Sequence, residues 1–146
     1  MRHGRRIALD PGSVRIGVAV SDRDGILASV QEPIPAEDPR ALEALIQEID
    51  PIELLVGLPR GLDGNEGAAA QGARKYAAGL AATFDIPVRL VDERLSTVQA
   101  QRGFHAQGRS VRQSRSMIDS ASAAVVLQHA LDTERATGRP PGEVCA

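Results

Sequence analysis

Tryptophan is absent from this chain, and the aromatic residues amount to two Phe and one Tyr. That poverty excludes a protein that binds nucleic acid by stacking bases on aromatic platforms. Any polynucleotide would have to be held by its phosphates. Cysteine is nearly absent too: Cys145 stands alone, so no intrachain disulfide can form, which fits a reducing compartment. Lysine is represented by Lys75 against sixteen Arg, a bias that genome composition alone can produce. No apolar run approaches the ~20 residues of a membrane span. The basic start, Met1 to Arg6, reaches Asp10 after only Ile7-Ala8-Leu9, too soon for a secretory leader. The expected location is the cytoplasm.

What is present is an ordinary apolar core inventory. The 146 residues are 42% apolar, mostly Ala, Leu, Val and Ile, which suits one domain burying roughly two-thirds of its unfolded surface. The net charge of −2 argues against a general polyanion binder, but its distribution is uneven. From Arg94 to Ile118 there is no Asp or Glu, while Arg94, Arg102, Arg109, Arg112 and Arg115 lie in that stretch. The segment therefore carries +5 and the rest of the chain −7. Local field steers a polyanion more than net charge does; a solvated helix face is the alternative reading.

Periodicity gives the elements. Arg6 to Leu9 reads as a buried strand ending in the turn Asp10-Pro11-Gly12. Arg15 to Ser21 is a second strand, Asp22-Arg23-Asp24-Gly25 a hairpin turn, and Ile26 to Gln31 a third strand stopped by Pro33 and Pro35. The period then becomes helical. Asp38 or Pro39 opens a helix with Leu42, Leu45, Ile46 and Ile49 on one face, closed by Pro51. Ile52 to Val56 is a continuous apolar strand of the kind covered on both faces. After a loop through Gly57 and Gly61, Asn65 is placed to cap an Ala-rich helix through Phe84. Val88 to Val91 is the fifth strand. A helix follows from Ser96 or Thr97 to about Phe104, and a last one from about Arg112 to Glu134, with Ile118, Ala121 and Val125 inward. The order βββαβαβαα predicts an α/β fold: a five-stranded mixed sheet with helices on both faces. Residues 1–136 are expected to form one domain and 137–146 a disordered tail.

Three acids stand where acids are unwelcome. Asp10 ends one buried strand, Glu93 ends another, and Asp119 lies inside the last helix beside Ile118. If these ends converge, the carboxylates repel and raise one another's pKa. Hard divalent cations, Mg²⁺ or Mn²⁺, relieve that repulsion through oxygen ligands. A pair of such ions holds an attacking water and a leaving oxygen in line across a phosphodiester. Each acid also has a plainer reading: a turn residue at Asp10, a partner for Arg94 at Glu93, a solvated helix position at Asp119. His3, His105 and His129 lack ligand-like spacing and read as surface residues.

These residues also fall into recognisable blocks. The run from Ile7 to Asp22, IALDPGSVRIGVAVSD, is similar to the opening motif of the YqgF/RuvX family. Val56-Gly57-Leu58-Pro59 with Asp63-Gly64-Asn65-Glu66-Gly67 resembles its second block, and Val91-Asp92-Glu93-Arg94-Leu95-Ser96-Thr97, the most specific, its third. Ile118-Asp119-Ser120 with Ala123-Ala124 and Leu127-Gln128 resembles the fourth. The resemblance spans nearly the whole chain. It implies an RNase H-like fold and a metal held by Asp10, Glu93 and Asp119. It implies cleavage of structured nucleic acid, either at the 5′ end of precursor 16S rRNA or at Holliday junctions, by a monomer or homodimer. There is one departure. Family members often carry lysines just before the last helical Asp; here the stretch is Gln113-Ser114-Arg115-Ser116-Met117, and Arg115 supplies charge but no titratable amine.

Arg15 and Arg94 are further candidates to clamp phosphate, beside Arg102, Arg109, Arg112 and Arg115. Two other classes compete. An actin-like ATP-binding fold also opens with an acidic strand and a glycine turn, but it needs two domains. A non-catalytic RNA-binding module would keep the fold and lose an acid, and all three acids are present.

Overall fold

A computed structural model describes residues 1–59, 66–92 and 111–145, with the side chains of the last helix described from Ser120 onward. The strands are β1 (Arg6–Pro11), β2 (Arg15–Ser21), β3 (Ala28–Pro35), β4 (Glu53–Leu58), β5 (Val88–Asp92) and β6 (Glu143–Cys145). The helices are α1 (Pro39–Ile49), α2 (Ala68–Thr83) and α3 (Val111–Thr137). The helix expected between Ser96 and Phe104 lies outside the described residues. One six-stranded sheet runs β3-β2-β1-β4-β5-β6. β1 pairs antiparallel with β2 and parallel with β4, which is in turn parallel to β5. The antiparallel meander and the two parallel crossovers are thus as expected from the turn and helix signals.

Local chemistry explains the ends. At the β2–β3 turn the Asp22 carboxylate accepts from the Ile26 and Leu27 amides at 2.8 and 2.9 Å, and Gly25 takes φ +69°. Those amide hydrogen bonds, Leu27's first, hold the Asp22 carboxyl below its ordinary range despite slight desolvation. Asp38 caps α1 through the Arg40 amide, Pro39 fills the first turn, and Asp50 ends the helix in the left-handed region at φ 52°. α2 starts later than expected. Gly67 is its N-cap, without a side-chain bond; Asn65, the expected cap, lies outside the described residues.

Three expectations are corrected. β3 does not stop at Pro33 but continues through it to Pro35. It can do so because it is an edge strand, where a missing N–H costs no ladder bond. Ile16 pairs with Ile34 and Val18 with Gln31, so Glu32 and Pro33 together face Gly17 as a β-bulge. β4 likewise runs on through Gly57 to Leu58. The segment expected to be a disordered tail supplies β6, antiparallel to β5. Gly142 makes the approach possible: at φ +85°, a Cβ there would collide with the Leu90 carbonyl. Arg74 on α2 then ties the new strand down, bonding Glu66 at 2.7 Å and Glu143 at 2.8 Å.

The two sheet faces differ. Ile7, Leu9, Val18, Leu54, Val56 and Leu90 face α1 and α2 in a bulky aliphatic core. On the other face Ala8, Ala19, Leu55 and Val91 of the sheet pack against Ala123, Val126, Leu127, Ala130 and Leu131 of α3. Val126, rather than Val125, is the buried valine of that helix. Among the described residues no helix is long and apolar enough to cross a membrane.

Candidate active site

Strand alternation decides which acids share a face. Ile7 and Leu9 belong to the α1/α2 core and Ala8 to the α3 core, so Asp10 follows Ala8 onto the α3 face. It is half-buried at the end of β1, the strand flanked by β2 and β4, and its cross-strand partner is Gly17. The turn beyond it is tight. The Gly12 amide donates to the Arg15 carbonyl at 3.0 Å, and a Cβ on Gly12 would meet that oxygen at 2.6 Å. Arg15 opens β2 on the same face as Gly17 and is exposed. Leu58 pairs with Asp92 at the end of β5, one residue before Glu93.

Glu93, Arg94, Arg102 and Arg109 lie outside the described residues. Arg112, Arg115 and Asp119 lie within the described helix α3, but their side chains do not belong to the described set. Of the three expected carboxylates, Asp10 is therefore the one whose setting is defined. Among the described residues no group of three acids, histidines or cysteines is assembled for a metal ion. Of the histidines, His3 and His129 are exposed, as expected, and His105 lies outside the described residues.

Three sets of contacts on the α3 face were not foreseen, although Ser120 and Gln128 fall in the fourth block of the resemblance. Ser120 is fully buried; its hydroxyl accepts from the Val18 amide at 3.0 Å and donates to the Gln31 carbonyl at 2.6 Å. Gln128 accepts from the Ala28 amide and donates to the Ile26 carbonyl, each at 2.9 Å. At the far end of the helix, Glu134 and Glu53 are buried with Arg6, and Arg2 bridges the two acids. Arg6 reaches Glu134 at 2.8 Å and Arg89 reaches Glu53 at 3.1 Å. Burial pushes the Glu134 carboxyl up, but hydrogen bonds and charge from Arg2, with the charge of Arg6, outweigh it and leave its pKa lowered. The partners lie from 36 to 132 residues apart in sequence, and no local pattern reports that.

On the opposite face, α1 and α2 border a cleft of about 540 Å³. Leu42, Leu80 and Phe84 line it, with Tyr76, whose buried hydroxyl has no partner among the described residues and whose pKa burial pushes up to about 12. It is separated from Asp10 by the sheet, and among the described residues Asp38 is the acid on its wall.

Comparison with known proteins gives a consistent picture. A family profile described as "RuvX: Holliday junction resolvase" matches residues 4–133. A Streptomyces coelicolor protein named "Putative pre-16S rRNA nuclease" is 51% identical over 148 residues, covering 98% of this chain and 89% of the relative. A Thermobifida fusca protein of the same name is 50% identical over 155 residues, covering 99% and 97%. Among solved structures, T. thermophilus RuvC in complex with Holliday junction substrate superposes with a TM-score of 0.51 at 20% identity, covering 95% of this chain and all of that one.

Proposed function

The chain belongs to the RuvX (YqgF) family and has the RNase H-like fold, and from that premise we propose a divalent-metal-dependent endonuclease that hydrolyses phosphodiester bonds of structured nucleic acid. Its proposed role is 5′-end processing of precursor 16S rRNA in the cytoplasm, in keeping with relatives named "Putative pre-16S rRNA nuclease". The observation that carries the reading is Asp10: half-buried at the end of a central strand, on the face crossed by the helix that contains Asp119. Residues 1–136 are taken as the nuclease unit, in keeping with the matched span 4–133.

Asp10, Glu93 and Asp119 are the residues proposed to hold the metal. Their donor set fits: three carboxylates offer only oxygen, which suits Mg²⁺ or Mn²⁺ and not a softer ion. Bound there, two such ions would activate a water and offset charge on the phosphate. Arg15, Arg94, Arg102, Arg109, Arg112 and Arg115 are proposed to hold phosphate oxygens and orient the strand. Replacing two of Arg102, Arg109, Arg112 and Arg115 by Ala should weaken binding regardless of sequence. It should also flatten the plot of log affinity against log salt by roughly 0.7–0.9 per lost contact. An unchanged slope would return the segment to a solvated helix face.

A second reading, resolution of four-way DNA junctions, is favoured by the description of the matching family. Precursor 16S rRNA and a four-way junction should be incubated side by side with Mn²⁺ and with chelator. Cleavage of the RNA that disappears in chelator is expected. Preference for the junction would select the second reading, and undiminished cleavage by metal-free protein would defeat both.

A further inference from the structure

Helix α3 is fastened to the sheet by polar contacts at three levels, Ser120, Gln128 and Glu134. They are not equivalent. A serine within a helix usually bonds a carbonyl of its own preceding turn or faces water. Ser120 instead commits its hydroxyl to the sheet, standing between Val18 and Gln31, which are cross-strand partners in β2 and β3. It bridges the two strands beside the bulge where Glu32 and Pro33 face Gly17. Ser120 is fully buried and its bond to the Val18 amide is shielded from water, while its bond to the Gln31 carbonyl is part-buried. Gly17, beside Val18, is the cross-strand partner of Asp10, and the residue before Ser120 is Asp119.

We propose that Ser120 is a positioning residue: its hydroxyl fixes the rotation and height of α3 over the bulge, and so sets Asp119 relative to Asp10. This rests on the reading of those two acids as metal-holding groups. The contacts of Gln128 and Glu134 lie two and four turns further along the helix, where they hold its packing without determining the placement of residue 119. Removing the hydroxyl should loosen the first half of α3 and leave the second half docked.

The test compares Ser120→Ala with Gln128→Ala, which removes a different stitch of the same helix, and with Asp10→Asn. Three quantities are measured: thermal unfolding, the rise in Tm on titrating Mn²⁺ without substrate, and single-turnover cleavage against Mn²⁺ concentration. Ser120→Ala should require roughly 10–100-fold more Mn²⁺ for the same Tm rise and the same cleavage rate, the range found when groups supporting metal ligands are lost. Substrate affinity should hold. Gln128→Ala should lower Tm without moving the Mn²⁺ dependence. Should Ser120→Ala fail to fold, Ser120→Cys, nearly isosteric with a weaker hydrogen-bonding group, should show the same shift to a smaller degree. A wild-type Mn²⁺ dependence in a folded Ser120 variant, with Asp10→Asn inactive, overturns this inference alone. Full cleavage by Asp10→Asn overturns the reading beneath it.

Discussion

Asp10→Asn is expected to lower single-turnover cleavage by about 10³-fold, on the scale of losing a group that stabilises charge in the transition state. The same change should leave the metal-free protein as stable as before, or slightly more stable. The substitution keeps volume and polarity and removes one negative charge from the end of β1. If three carboxylates are held near one another, they are held against mutual repulsion, and neutralising one relieves it. An amide is a poorer ligand for a hard cation, so the gain in stability comes with loss of activity. Glu93→Gln and Asp119→Asn should behave alike. Double substitutions should lose little more than single ones, because the acids act as a unit. Thermal unfolding without metal and cleavage with it are the two measurements. Lost stability with retained cleavage would make Asp10 a turn residue and move the chemistry elsewhere.

Glu134→Ala is expected to produce the largest loss of stability, about 3–5 kcal/mol, the cost of leaving a buried charge without its partner. The stranded charge is Arg6, 1% exposed, whose guanidinium among the described residues is left with its bonds to the Gly4 and Arg2 carbonyls. Replacing both members of the pair, Arg6→Met with Glu134→Leu, should cost much less than the sum of the single changes. The pH dependence has a definite sign. The folded-state pKa of Glu134 lies below the ordinary value of 4.5, so its contribution is complete above that value. It is lost as pH falls through the depressed folded-state value. Wild-type Tm should therefore drop more steeply than that of the variant on acidification below about pH 4.5. Parallel curves would mean that the Glu134 carboxylate is not what Arg6 depends on.

The reach of the sequence is uneven, for physical reasons. The meander was legible because Asp22 and Gly25 encode their turn locally, and α1 because Asp38, Pro39 and Pro51 punctuate a helical period. The place of Asp10 at the end of β1 was legible because the apolar run Ile7-Ala8-Leu9 leads into it. The passage of β3 through Pro33 was not, since being at an edge is a property of the sheet and not of the strand. β6 was hidden for a similar reason: Glu143-Val144-Cys145 has no strand pattern of its own and is ordered by pairing with β5. Ser120 and Glu134 read as unremarkable helix residues until the sheet is laid beneath them. Val18 is 102 residues from the first and Arg6 is 128 from the second.

The placement of β3 and β6 also bears on how copies of the protein meet one another. They are the two margins of the sheet, where unpaired backbone groups offer a template to a neighbouring molecule. On one margin a bulge and two prolines break the regular row of donors. On the other, a three-residue strand covers part of β5 and ends before a long template can form. Neither margin presents a straight, continuous run for strand-by-strand polymerisation, so concentrated protein should resist the growth of intermolecular β-sheet.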